Sequence, residues 1–226
     1  MKYDTTSRIF KQLSETVSLL LWDAGAIRLD LDEPFKLASG NFSPIYINCR
    51  RIISNPSIMA LFTAASHIIL ERRNLEFDLV AGGETAGIPF AAVLAQSLSK
   101  PMIYVRKAKK GYGLAALIEG SSPKEKRVLL VEDLITDAGS KLHFIEVIRN
   151  AKGTVNDVLV LFDRQQGGRA ALQARGIELH SITDLKTALD VAGETGIIPR
   201  TELDEVRGYL DDPHRWHERR GLEYTS

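Results

Sequence analysis

Apolar and polar residues along this chain follow two rhythms, one helical and one strand-like. Over residues 5–22 the apolar positions Ile9, Leu13, Val17, Leu20 and Leu21 recur on one helical face, with Gly25 just beyond. That spacing predicts an amphipathic helix followed by its stop signal. Short strand-like runs come next at 26–31, 35–38 and 45–48, the last two separated by a turn at 39–44 rich in Ser, Gly, Asn and Pro. Asn55-Pro56 then marks a helix start, and that helix is expected to reach about residue 73.

From residue 78 onward the order is regular. Strand-like runs at 78–81, 102–105, 128–131, 155–162 and 177–182 alternate with helical patterns at 88–98, 140–150 and 169–175. Turns are expected at 82–87 and 136–140, and a long polar loop at 107–120. The run at 128–131 is wholly apolar, as a strand covered on both faces must be. Strands alternating with helices predict an α/β fold: a mostly parallel twisted sheet with helices on both faces and right-handed crossovers. With 226 residues and 44% hydrophobic content, one sizeable core can form. A single domain over 1–226 is therefore expected, with 1–55 contributing an N-terminal helix and a small hood.

Charge narrows the field. The 29 basic and 29 acidic residues cancel, so no global field favours nucleic acid or membrane as a partner, and any anion site must be local. The single Cys49 cannot form an intrachain disulfide, which fits a reducing cytoplasm; it falls in a strand-like run and is expected to be packed. No apolar stretch approaches the ~20 residues that span a bilayer, and residues 1–20 lack the pattern of a secretory leader.

The polar clusters all fall where the predicted strands end: Gly82-Gly83-Glu84-Thr85, Arg106-Lys107, Glu132-Asp133 and Asp163-Arg164. Ligands of open parallel sheets sit beyond the carboxyl ends of the strands, so this agreement points to one active site. In the stretch from Arg127 to Lys141 a strand, two acids, a small-residue turn and a helix follow in order. Backbone N–H groups and a helix N-terminus there suit a phosphate, and the carboxylates suit ribose hydroxyls or a hard metal ion bound to them. The loop from Tyr104 to Gly113 carries Arg106, Lys107, Lys109, Lys110 and Tyr112, with Gly111 and Gly113 as punctuation. Its cations could neutralise a pyrophosphate as the loop closes. Taken singly, each feature has an ordinary counterpart in strand-ending acids or a solvated basic loop. His67, His143, His180, His214 and His217 show no metal-ligand rhythm; structural roles are expected for His143 and His180, and the last two lie in a charged tail.

In combination, these motifs carry a specific resemblance. Residues 127–141 closely resemble the ribose-phosphate signature of type I phosphoribosyltransferases, and residues 80–89 resemble that family's pyrophosphate-binding loop. Arg106-Lys107, Lys110, Tyr112-Gly113 and Ile118-Glu119-Gly120 are similar to the mobile catalytic loop of the orotate-using branch, with Tyr112 where many members have His. Residues 35–48 resemble its N-terminal hood, and Asp163-Arg164-Gln165 its base-recognition segment. The likeness spans roughly residues 30–190, in the family's order.

The resemblance implies transfer of the phosphoribosyl group of 5-phospho-α-D-ribose 1-diphosphate to orotate, giving orotidine 5′-phosphate and pyrophosphate. It implies that this diphosphate is held by Arg106, Lys107, Lys110, Tyr112, Glu84, Thr85, Glu132, Asp133, Leu134, Ile135, Thr136, Asp137, Ala138, Gly139 and Ser140. Of these, Arg106, Lys107, Lys110 and Asp133 would act in catalysis. Orotate would meet Arg164, Thr136, Tyr46 and Ile47. Lys36 would stand in for a lysine that members often carry where this chain has Ala38. Mg²⁺ is implied, held through the diphosphate and water with no direct protein ligand. A homodimer whose loops complete each other's sites, and a non-proline cis peptide at Glu84–Thr85, are implied as well. Two alternatives stay open here: a phosphoribosyltransferase for purine or another base, and a non-catalytic nucleotide-sensing regulator on the same fold.

Overall fold

In the computed structural model, residues 5–37, 39–108 and 117–225 are described. The chain opens with helix α1 (Thr5–Asp23), then β1 (Ile27–Leu29), β2 (Phe35–Lys36), β3 (Phe42–Ser43) and β4 (Ile45–Ile47). A 3-10 helix (Cys49–Ser54) leads into α2 (Pro56–Arg72). Next come β5 (Leu79–Gly83), α3 (Gly87–Ser97), β6 (Met102–Val105), β7 (Ile118–Glu119) and β8 (Arg127–Ile135). The chain ends through α4 (Gly139–Asn150), β9 (Thr154–Asp163), α5 (Gly168–Gln173), β10 (Glu178–Asp184), α6 (Leu185–Glu194), α7 (Arg200–Asp211) and α8 (Pro213–Arg219).

The main sheet has six strands in the order β10-β9-β8-β5-β6-β7, parallel except for β7. Because successive side chains of a strand point to opposite faces, the apolar runs divide between two cores. Val80, Leu129, Val131, Leu159 and Leu161 pack on one side with α1, α2, α3, α6 and α7. Leu79, Ala81, Val128, Leu130, Val158 and Val160 pack on the other with α4 and α5. Cover on both faces is why these strands contain no polar alternation. The hood consists of two small antiparallel pairs, β1 with β4 and β2 with β3. No helix among the described residues is long and apolar enough to cross a membrane.

Locally the structure departs from the expected elements. Ile9 is 47% exposed and Phe10 packs on the core in its place, so the buried face of α1 is rotated near its start. Cys49 is buried but opens the 3-10 helix instead of ending a strand. The expected polar loop at 107–120 closes with β7, whose Glu119 pairs with Tyr104. The tail past residue 184 forms three helices, and His217 is buried among them instead of lying on a charged surface.

Candidate active site

Four parallel strands deliver their carboxyl ends to one edge: β5 at Gly83, β6 at Val105, β8 at Ile135 and β9 at Asp163. Here β8 departs from expectation. It does not stop at Val131 but carries Glu132 to Ile135 within the sheet, with Glu132 opposite Val160 and Ile135 opposite Asp163. Glu132 can stay in a buried strand because its charge is satisfied there. Glu132 accepts a hydrogen bond from the Gly83 N–H at 2.9 Å and pairs with Lys141 at 3.1 Å. Its carboxylate occupies the space a side chain would need at Gly83 or Gly87, since a Cβ at either would run into Glu132 Oε1. Close approach therefore explains these two glycines, and the Gly83 N–H is spent on Glu132.

A cleft of about 140 Å³ lies over this edge, lined by Arg50, Glu84, Thr85, Lys107, Asp133 and Ser140 among others. Burial pushes the Glu132 carboxyl up to about 7, against the downward pull of the Lys141 ammonium. Burial also raises Asp133, again opposed by Lys141. Asp133 forms no ion pair among the described residues, and it lines the cleft.

The expected residues fall into several groups. Glu84 donates its N–H to the Val105 carbonyl at 2.8 Å and accepts the Lys107 N–H at 2.8 Å, which fixes where the loop leaves the sheet. The Glu84–Thr85 peptide is cis, as expected. Lys107 is exposed and lines the cleft. Arg106 does not line it: the guanidinium reaches Glu119 of β7 at 2.9 Å, and its Nε is buried with no partner among the described residues. Lys110, Tyr112 and the side chain of Ala38 lie outside the described residues.

Within the turn, Asp137 accepts the Gly139 N–H at 3.0 Å, so its carboxylate caps its own loop. Ala138 has φ +73 and is buried, where a glycine would bear the conformation without strain. Thr136 is half-buried and its carbonyl accepts the Gly168 N–H at 2.8 Å. Leu134 packs against one core and Ile135 within the other. These two side chains shape the loop from beneath, leaving only their backbone to a ligand.

Arg164 follows β9, its N–H donating to the Ile135 carbonyl at 3.0 Å. Asp163 accepts the Gln165 N–H at 2.8 Å and thereby shapes the turn that presents it. The Arg164 Nε is buried without a partner among the described residues. Burial lowers its pKa, opposed by Tyr209, Cys49 and Tyr46 nearby. Burial raises the pKa of the Cys49 thiol, and Asp133 raises it further, while Arg164 and Lys141 oppose the rise.

In the hood, Tyr46 is half-buried, whereas Ile47 faces the core. Strand alternation permits only one of that pair to face a ligand. Lys36 is exposed on β2. Sequence reasoning missed Arg28, which stands opposite Tyr46 with its guanidinium 5.0 Å from the Phe35 ring centroid and 5.4 Å from that of Tyr46. It also missed Arg50 and the buried Lys141. A lysine at a helix start reads as solvated, and only the position of Glu132 across the layer reveals its partner.

A family model described as the phosphoribosyl transferase domain matches residues 51–179. The chain is 45% identical over 213 residues to an orotate phosphoribosyltransferase of Sinorhizobium medicae, covering 92% of each. Among solved structures it resembles the orotate phosphoribosyltransferase of Aeropyrum pernix, with TM-score 0.67, 34% identity and coverage of 78% of this chain and 99% of that one. It also resembles the UMP synthase of Leishmania donovani, with TM-score 0.78 and 32% identity, covering 89% of this chain but 43% of that longer one.

Proposed function

Since the chain belongs to the orotate phosphoribosyltransferase family, we propose that it joins orotate to 5-phospho-α-D-ribose 1-diphosphate in pyrimidine nucleotide synthesis. Orotate N1 forms the new bond to the ribosyl C1 as the C1–oxygen bond to pyrophosphate breaks, and the N1 proton is given up to water or to the departing pyrophosphate. The observation that carries this reading is Arg164, a half-buried guanidinium just past the carboxyl end of β9 whose Nε has no partner among the described residues. A buried donor left unpaired is costly, and a guanidinium fork matches a planar carboxylate such as that of orotate.

The protein's part is positioning and charge stabilisation. Asp133 meets the ribose hydroxyls, and the turn from Thr136 to Ser140 holds the 5′-phosphate at the start of α4. Glu84 and Thr85 face the diphosphate, while Lys107, Lys110 and Arg106 take up charge on departing pyrophosphate, with Tyr112 bonded to a phosphate oxygen. A substrate-borne Mg²⁺ would be held through the diphosphate and water with no direct protein ligand, and the Asp133 carboxylate in the cleft suits the ribose hydroxyls and waters around such an ion. That ion supplies further neutralisation of the diphosphate. The whole chain acts as one catalytic domain, with 1–55 as hood, in the cytoplasm.

The direct test is loss of orotate absorbance with the diphosphate sugar and Mg²⁺. Arg164→Ala should raise the KM for orotate by about 10- to 100-fold, the range of a lost charge-assisted hydrogen bond. Turnover of a purine base without orotate turnover would overturn the assignment. In the hood, Arg28→Ala should raise the KM for orotate several-fold and Lys36→Ala much less: both are exposed, but the Arg28 guanidinium lies over the Tyr46 ring. Equal effects of the two substitutions would remove Arg28 from the base site.

A homodimer with shared sites accounts for Arg106, which leaves β6 at the sheet edge yet does not line its own cleft. Two-fold symmetry lets each loop complete the partner's site. Mixing Lys110→Ala with Asp133→Asn protein should restore up to about half activity per heterodimer, since one site then holds both intact elements. Demonstrated subunit exchange without recovery would place the loop in its own site.

A further inference from the structure

The C-terminal segment folds back onto the hood, with contacts to the β2–β3 hairpin and to the chain just past β1. That hairpin has only two registered residue pairs, Phe35 with Ser43 and Lys36 with Phe42. An isolated pair of strands is marginal even at greater length, so something else must hold it. We propose that residues 212–225 form a strap that fixes this hairpin over the base site and thereby sets the affinity for orotate. The inference rests on the reading of the hood as the base-binding element.

Three sets of contacts carry it. The first is His217, only 1% exposed, whose Nε2 accepts the Phe42 N–H at 2.9 Å. Its Nδ1 lies 2.6 Å from the Pro213 carbonyl, which can only accept, so Nδ1 carries the proton. The ring is a neutral tautomer fixed at both nitrogens, one to the strap and one to the hood. The second is a reciprocal pair: Asn41 Nδ2 donates to the Thr225 carbonyl at 2.8 Å, and the Thr225 N–H donates to Asn41 Oδ1 at 2.7 Å. The third is Arg220, which donates to the Leu31 carbonyl at 2.6 Å just past β1 and stacks 4.7 Å from the Trp216 ring. Arg220 also reaches Glu205 of α7 at 3.3 Å, and Trp216 packs edge-on against Tyr209 of α7 with centroids 5.1 Å apart. Tyr209 is itself one of the groups acting on Arg164. The strap thus ties both arms of the hood to the helix beside the carboxylate-binding arginine.

The test uses the full-length enzyme with His217→Leu, His217→Gln, Asn41→Ala and a chain ending at Leu222. Steady-state rates give the two KM values and kcat, and hydrogen exchange follows the amides of residues 35–46. His217→Leu, Asn41→Ala and the shortened chain should each raise the KM for orotate, by about tenfold for the largest. The KM for the diphosphate sugar and kcat should stay within about twofold, and the hairpin amides should exchange faster. His217→Gln keeps an acceptor for the Phe42 N–H and a donor for Pro213, and should restore most of the affinity. Should His217→Leu fail to fold, the Asn41 and chain-end variants, which leave the buried His217 in place, decide the matter. An active enzyme whose orotate KM is unmoved in these variants overturns the strap alone. A wild-type chain that does not turn over orotate overturns the function on which the strap depends.

Discussion

Lys107→Ala should lower kcat by about 10²-fold or more, the scale of a lost transition-state electrostatic contact. The substitution isolates the ammonium group. The backbone of residue 107 is fixed by its N–H bond to Glu84, which alanine retains. The side chain lines the cleft, where charge develops on the leaving pyrophosphate. Stabilisation specific to the transition state lowers kcat when removed and leaves ground-state binding nearly unchanged. Both KM values should therefore stay within a few-fold, and Lys107→Arg should retain part of the rate. Steady-state and single-turnover kinetics check this; a wild-type kcat in the alanine variant would take Lys107 out of the chemistry.

Lys141→Met should destabilise the fold by about 3–5 kcal/mol, as breaking one half of a buried ion pair does. For a domain of this size that is a fall in Tm of roughly 10 °C. The side chains of Lys141 and Glu132 are 10% and 5% exposed. The loss should also depend on pH. Burial raises Glu132 from 4.5 to about 7 in the folded chain. Its contribution is thus fully present below about 4.5 and is lost as pH rises through about 7, on the order of 3 kcal/mol in all. Without the Lys141 ammonium the folded pKa rises further, so the deficit of the variant should be larger at pH 8 than at pH 5. Urea unfolding at both values measures it. Converting Glu132 to Gln in the same chain should recover much of the loss, because a neutral amide needs no counter-charge. A deficit independent of pH would mean that the pair is not the cause.

Much of this protein was legible in its sequence because local rules suffice for it. The wholly apolar run at 128–131 reads as a strand covered on both faces, and the two cores bear that out. The polar clusters at strand ends, together with Gly82-Gly83, located the site at one edge of the sheet, where β5, β6, β8 and β9 bring it together. The resemblance of the motifs gave the family and the cis peptide at Glu84–Thr85. These features depend on residue type and order within a few positions, which a sequence states directly.

Tertiary structure decided whatever depends on a partner far along the chain. Glu132 reads as a strand-ending acid until Lys141 and the Gly83 N–H, 49 residues away, are seen to satisfy it within β8. Ile47 and Tyr46 look like an equivalent pair until the register with β1 sends one inward. The tail looks like a charged appendage until His217 meets Phe42 across 175 residues. Composition and periodicity report how a side chain relates to its neighbours in sequence. Whether a charge is paired, or a strand held in place, is set by contacts that form only when distant segments are packed together.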